Sequence, residues 1–327
     1  MIERQELSIE ALIAGLRAML DGRDGGPRFL SILNRKPCAY FSTFPAEVVH
    51  CRLDNGDELR LFCKYSGAQD PAEYSGEWYE HRGGVPYEAA VYRRVIQPLA
   101  LSPCRFYGVQ VDPQTGQHWL AVDYLEGWQR VDWHWEAGSL AEAARWMGHF
   151  HLVNESRLGD LGFLKRYTPD YYLGWVSRTT EYARLAPTQY RWLEPLCARF
   201  PEAMRLMMEG RHTVIHGEYA MLNILYRDGK VCPIDWESAA IAPGEIDIAA
   251  LTDGTWGEEV VAACELAYRH ARWPNGAPPN WMKTAAAARL YWQFRWIGQR
   301  PDWTADSKME RRFEALRRAG EQLELIE

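Results

Sequence analysis

Apolar positions change their spacing along the chain. Leu7, Ile9, Leu12, Ile13, Leu16, Met19 and Leu20 recur at helical intervals, so residues 1–35 read as helical. Gly22–Gly26 interrupts that segment, and Phe29–Leu33 reads as a second short amphipathic piece. Strands follow at Cys38–Phe41, Glu47–Leu53 and Glu58–Tyr65. The turn Asp54-Asn55-Gly56-Asp57 joins the last two, because Asn-Gly accepts the positive φ angles of a tight hairpin. Residues 66–84 read as a surface loop, and a helix begins near Pro86. A second hairpin, Phe106–Val111 with Gln117–Asp123, turns around Asp112–Gly116.

After Gly127 strands give way to helices. Ser139 with Glu142 reads as a capping box, and Thr168-Pro169-Asp170 as another helix start. Further helices are expected over Tyr190–Arg199, Glu202–Glu209, Gly257–Arg272, Trp281–Ile297 and Asp306–Leu325. The aromatic density of Trp281–Ile297 suits packing between helices or the wall of a pocket. One β-unit interrupts this half. A short run, Thr213–Ile215, ends in His216-Gly217-Glu218, and a hairpin follows with Ile224–Tyr226, Asp228-Gly229 and Val231–Ile234. The returning strand is expected to bring Asp235 back toward Asn223.

Composition narrows the class without choosing a function. The 327 residues are 47% hydrophobic and 25% charged, as in an ordinary globular protein. A net charge of -7 argues against nucleic acid as a partner and is compatible with a cationic small molecule. Seven cysteines without a C-x-x-C read as thiols of a reducing compartment. The N-terminus lacks a signal-peptide pattern and no apolar run is long enough to span a bilayer, so the cytoplasm is expected and a membrane is not.

The chemistry concentrates between Thr213 and Asp247. A carboxylate, a carboxamide and a second carboxylate at Glu218, Asn223 and Asp235 suit phosphoryl transfer, which needs a metal on the phosphates, a positioned nucleophile and charge neutralisation. Mg²⁺ takes hard oxygen ligands and keeps several waters, so Asp235 and Asn223 suffice as its protein ligands. Glu218 is then the group that orients a hydroxyl and accepts its proton. The two histidines His149 and His151 lie two apart on a helix, which is wrong for chelation, and read as structural.

These residues carry a resemblance to the aminoglycoside phosphotransferase and choline kinase-like branch of the protein kinase fold. His216, Gly217 and Glu218 resemble that group's His-Gly-Asp, followed by Asn223 and by Ile234-Asp235-Trp236-Glu237. The segment G-E-I-D-I-A-A-L resembles its Gly…Asp-Leu-Ala, with Asp247 as the buttressing aspartate. The resemblance implies an α+β, bilobal fold: a small antiparallel β-sheet lobe over residues 1–124 and a mainly helical lobe over residues 125–327. It implies ATP or GTP and Mg²⁺ as cofactors and a small-molecule hydroxyl acceptor, an antibiotic or a metabolite. A monomer or homodimer fits equally.

By the same resemblance Lys64 contacts the phosphates and Glu88 pairs with it; Ser42 and Thr43 lie in the loop that covers them. Adenine meets the backbone near Asp123, Tyr124 and Leu125. His216 and Asp247 support the catalytic loop, and Glu237 either lines the substrate cleft or is solvated. One departure stands out: Glu218 occupies a position usually held by aspartate. The extra methylene moves the carboxylate by roughly 1 Å, enough to cost about 100-fold in rate without compensation. Two functions therefore stay open, a kinase and a nucleotide-binding module without turnover.

Overall fold

In the computed structural model the chain divides into two compact units. Described are residues 7–21, 26–38, 44–66, 82–131, 138–185, 189–299 and 307–327, without the side chains of 182–185 and 307–309. Ser42 and Thr43 lie outside the described residues.

The first unit takes the N-terminal part of the chain through Trp128, together with Asp235–Ser238. Helix α1, Ile9–Leu20, is capped by the Ser8 hydroxyl, which accepts from the Ala11 N–H at 3.1 Å. Five strands follow: β1 (Phe29–Pro37), β2 (Ala46–Leu53), β3 (Glu58–Tyr65), β4 (Phe106–Val111) and β5 (His118–Asp123). They form an antiparallel sheet in the order β1-β2-β3-β5-β4. Helix α1 packs flat on one face because Gly15 admits the Trp119 ring; a Cβ there would lie 2.3 Å from it. Leu12, Leu16, Val49, Leu61 and Trp119 form the core beneath it. Helix α2, Gly84–Val91, carries Glu88 and packs against the short turn Trp236–Ser238.

The first strand corrects the expectation for this region. Phe29–Pro37 is β1, not an amphipathic helical piece; of the strand expected at Cys38–Phe41 only Cys38, just past the end of β1, lies within the described residues. Two register irregularities against β2, at Phe29/Ser31 and Ile32/Asn34, hide the period of two that would have marked a strand.

The second unit is mainly helical. Its elements are β6 (Gln129–Arg130), α3 (Ser139–Glu155), β7 (Lys165–Arg166), α4 (Pro169–Leu185), α5 (Leu193–Met208), β8 (His212–Ile215), β9 (Ile224–Arg227), β10 (Lys230–Pro233), β11 (Ala240–Pro243), α6 (Glu245–Leu251), α7 (Glu258–Arg272), α8 (Trp281–Gly298) and α9 (Ser307–Gln322). Two small sheets, β10-β9-β6 and β7-β11-β8, sit among these helices. Helices α3 and α7 pack closely through Gly148, where a Cβ would stand 2.6 Å from the Tyr268 carbonyl oxygen. Helix α8 is buried on nearly all sides and packs on α4, α5, α6 and α9.

Two further expectations are corrected here. The capping box does not form: Gly138, with φ 95°, is the N-cap of α3, and Ser139 is buried one residue inside the helix. Tyr190–Arg199 and Glu202–Glu209 are not separate helices; α5 runs through Pro201 as one element.

Candidate active site

In the first unit, β3 delivers Lys64 to a buried position, 3% exposed. Three carboxylates converge on its ammonium. Its Nζ donates to Glu88 Oε2 at 2.8 Å, to Glu237 Oε2 at 3.1 Å and to Asp235 Oδ1. The Phe44 ring lies 5.3 Å from Nζ, in cation–π range. Glu88 is fixed in turn by the Trp236 N–H, which donates to its Oε1 at 3.2 Å. Glu237 is fully buried, not solvated; its Oε1 lies 3.2 Å from the Arg82 Nε.

The electrostatics follow from one cation shared among three acids. Burial disfavours the charged ammonium of Lys64, but Asp235, Glu88 and Glu237 outweigh it and hold its pKa well above the ordinary value. Burial raises the Glu88 carboxyl, with Lys64 pulling it back. Burial, then the charge of Asp235, pushes Glu237 up to about 8. Asp235 adopts φ 67°, the left-handed region that a non-glycine residue occupies at a cost. Oxygen atoms of Glu88, Asp235 and Glu237 lie within 4.8 Å of one another, a hard donor set of the kind divalent magnesium prefers.

In the second unit, β8 leads directly into His216. Gly217, at φ 79°, makes the left-handed step that turns the chain into the loop. Asp247, on α6, accepts both successive N–H groups: His216 N to Oδ2 at 2.6 Å and Gly217 N to Oδ1 at 2.9 Å. The His216 ring bridges the loop, since its Nε2–H donates to the Ile234 carbonyl at 2.9 Å and its Nδ1 accepts from the Glu218 N–H at 3.3 Å. Tyr219 is buried and donates its hydroxyl to the Ala143 carbonyl. The Asn223 amide donates to the Glu218 carbonyl at 3.0 Å, an orientation that leaves Oδ1 as its ligand-type oxygen. The Ile234 N–H donates to the Asn223 carbonyl at 2.9 Å, so the residue before Asp235 in the chain is tied to this loop.

The phosphotransferase enzyme family profile, APH, matches residues 79–285. The chain belongs to this family. It is therefore an enzyme, a phosphotransferase, with an alcohol group as acceptor. No curated protein matches its sequence. Among solved structures it is similar to a choline kinase from Cryptosporidium parvum Iowa II, with 14% identity, TM-score 0.60 and coverage of 97% of this chain and 96% of that one. A candidate aminoglycoside phosphotransferase from Ralstonia eutropha JMP134 gives 17%, 0.59, 98% and 97%. A choline/ethanolamine kinase family protein from Mesorhizobium loti gives 16%, 0.56, 97% and 96%. At these identities the likeness establishes the α+β, kinase-like fold that the motif spacing implied.

Two features of the phosphotransferase were not read from its sequence. His151, fully buried on α3, places its Nε2 3.1 Å from Asp247 Oδ2 and its Nδ1 2.9 Å from the Tyr268 hydroxyl. Arg295, on α8, contacts Gly217 and Glu218. The second carried a signal. An arginine within L-Y-W-Q-F-R-W-I-G sits where apolar side chains surround it, and a buried guanidinium requires partners.

Proposed function

We propose that the protein transfers the γ-phosphate of ATP, or GTP, to a hydroxyl of a small soluble metabolite or antibiotic, in a magnesium-dependent reaction. The observation that carries this reading is the buried Lys64 ammonium held between Glu88 and Asp235. Its three N–H groups are shared with Glu88, Asp235 and Glu237, which hold the cation where phosphate oxygens would be met. Asp235 and Asn223 would hold magnesium, which when bound supplies neutralisation of phosphate charge. Glu218 would orient the acceptor hydroxyl and accept its proton. His216 and Asp247 support that loop through the hydrogen bonds described above.

Around the nucleotide, Ser42 and Thr43 would cover the phosphates. The adenine edge would meet the backbone of Asp123, Tyr124 and Leu125. The N–H groups of Asp123 and Tyr124 already donate to the carbonyls of Arg105 and Arg60. That favours Leu125 as the backbone donor to the base. The acceptor is of small-molecule class, and the acidic balance favours a cationic one. All seven cysteines are free thiols, which supports a reducing cytoplasm. Among the described residues no helix is long and apolar enough to cross a membrane.

The test is single-turnover transfer from labelled ATP with Mg²⁺, over a panel of amino sugars, aminoalcohols, nucleosides and macrolides preselected by thermal shift. Transfer to at least one hydroxyl compound is expected, and Glu218→Gln should lower turnover while sparing ATP affinity. Tight ATP binding with neither transfer nor hydrolysis would overturn the reading in favour of a binding module.

A further inference from the structure

Arg295 is 2% exposed and stands on α8, which is buried on nearly all sides. A guanidinium removed from water is costly unless it is paired, so the direction of its nitrogens is informative. NH1 donates to the Gly217 carbonyl at 2.6 Å, and NH2 donates to Glu218 Oε1 at 2.5 Å. The planar fork thus spans the backbone of one residue and the carboxylate of the next. The Trp292 ring lies 5.0 Å from the guanidinium carbon, and the buried tyrosines Tyr167, Tyr171 and Tyr291 are within electrostatic reach of it. The Tyr291 and Tyr171 hydroxyls are 3.1 Å apart. Packed aromatic rings leave the arginine little rotamer freedom.

A glutamate has one more rotatable bond than an aspartate, and each unfixed torsion spreads the carboxylate over several positions. A base in phosphoryl transfer must instead be held to within a fraction of an ångström and must start deprotonated. A cation in contact with the carboxylate favours that form. The two requirements meet in one side chain. We propose that Arg295 is a positioning residue for the phosphoryl transfer, tying the Glu218 carboxylate to the backbone of its own loop so that the longer side chain presents a single geometry. This rests on Glu218 being the acceptor-side base, and it accounts for the toleration of glutamate there. Lysine would substitute poorly, because its ammonium lacks the rigid planar fork that fixes the direction of both hydrogen bonds together.

The test is a double-mutant cycle of Glu218→Gln and Arg295→Lys, read as ADP release from ATP with Mg²⁺. Water is the acceptor in one arm, and the best acceptor of the panel in the other. Arg295→Lys should lower kcat by about 10- to 100-fold, with the KM for ATP within about twofold. In the Glu218→Gln background the same change should alter kcat by less than about twofold, since its route of action is already lost. An equal fold-loss in both backgrounds would overturn the proposal, as would a loss confined to the KM for ATP. Unchanged kcat in Glu218→Gln alone is a different result; it removes the base assignment and this proposal with it. Melting curves establish folding, and if Arg295→Lys does not fold, Arg295→Gln takes its place in the cycle.

Discussion

Lys64 Nζ lies 2.8 Å from Glu88 Oε2, with both side chains buried. Strand β3 and helix α2 are thereby joined through an ion pair that excludes water, and two further carboxylates lean on the same ammonium. Lys64→Met would leave Glu88 and Glu237 buried without their cation. Removing one member of such a buried pair costs about 3–5 kcal/mol. Urea denaturation should show that loss at pH 8. The deficit should widen from pH 8 to pH 9, because wild-type Glu237, pushed up to about 8, ionises beside Lys64 there while the variant must hold it protonated. An equal deficit at both pH values would refute the shared-cation account.

Asp235→Asn removes the anionic candidate ligand while keeping its shape. Mg²⁺-dependent transfer should fall by at least about 100-fold, with little change in the melting temperature. Titration of activity against Mg²⁺ checks this. Wild-type turnover in the variant would refute the metal assignment.

Asp247→Asn should separate scaffold from chemistry in the loop. One of its two oxygens becomes an NH₂ group facing an N–H donor, a mismatch worth about 1–3 kcal/mol. Because the mismatch falls under His216 and Gly217, turnover should drop more than the melting temperature implies. Parallel measurement of kcat and thermal unfolding decides it.

Burial pushes the Glu245 carboxyl up to about 7, against an ordinary 4.5. A raised acid binds its proton more tightly in the folded state. Its contribution is therefore fully present below pH 4.5 and is lost as pH rises through 7. Glu245→Gln cannot lose it. Relative to wild type, the variant should gain stability between pH 5 and pH 8, by about 3 kcal/mol at most. Melting temperatures of both proteins across that range test the sign.

Much of the architecture was legible in the sequence, for reasons that differ by element. Asn55-Gly56 and Asp228-Gly229 announced their hairpins because tight turns demand positive φ, which Gly56, Asp228 and Gly229 all adopt. The C-terminal helices were read within three residues at either end, because their apolar spacing is long and uninterrupted. Strand β1 escaped because its two register irregularities break the alternation. Helix α5 was split at Pro201 because proline usually ends a helix, and here packing of Leu196, Phe200 and Ala203 overrides that preference. In the site, order along the chain was enough to nominate Lys64, Glu88, Glu218 and Asp235. It did not reveal that Glu237 is buried on Lys64, or that Arg295 reaches Glu218 from 77 residues away. Such contacts are made by tertiary packing and leave no periodic trace.

Gly244 shows the same limit at a single atom. Its φ of -63° needs no glycine, yet a Cβ would stand 2.6 Å from both His151 Nδ1 and the Tyr268 hydroxyl. Gly244→Ala should destabilise the second unit by about 1–3 kcal/mol through overcrowding, which denaturant midpoints would show.

That crowded corner also fixes where a proton resides. Burial lowers His151 to about 4, so the imidazole is neutral and owns one N–H. Asp247 can only accept, so the hydrogen is on Nε2, and Nδ1 takes the Tyr268 hydroxyl proton. The imidazole is thus a spectroscopic reporter supplied by the fold. Its sheltered N–H should give a downfield, slowly exchanging proton resonance from pH 5 to 9, and any disturbance of the loop above Asp247 would be seen there before turnover is measured.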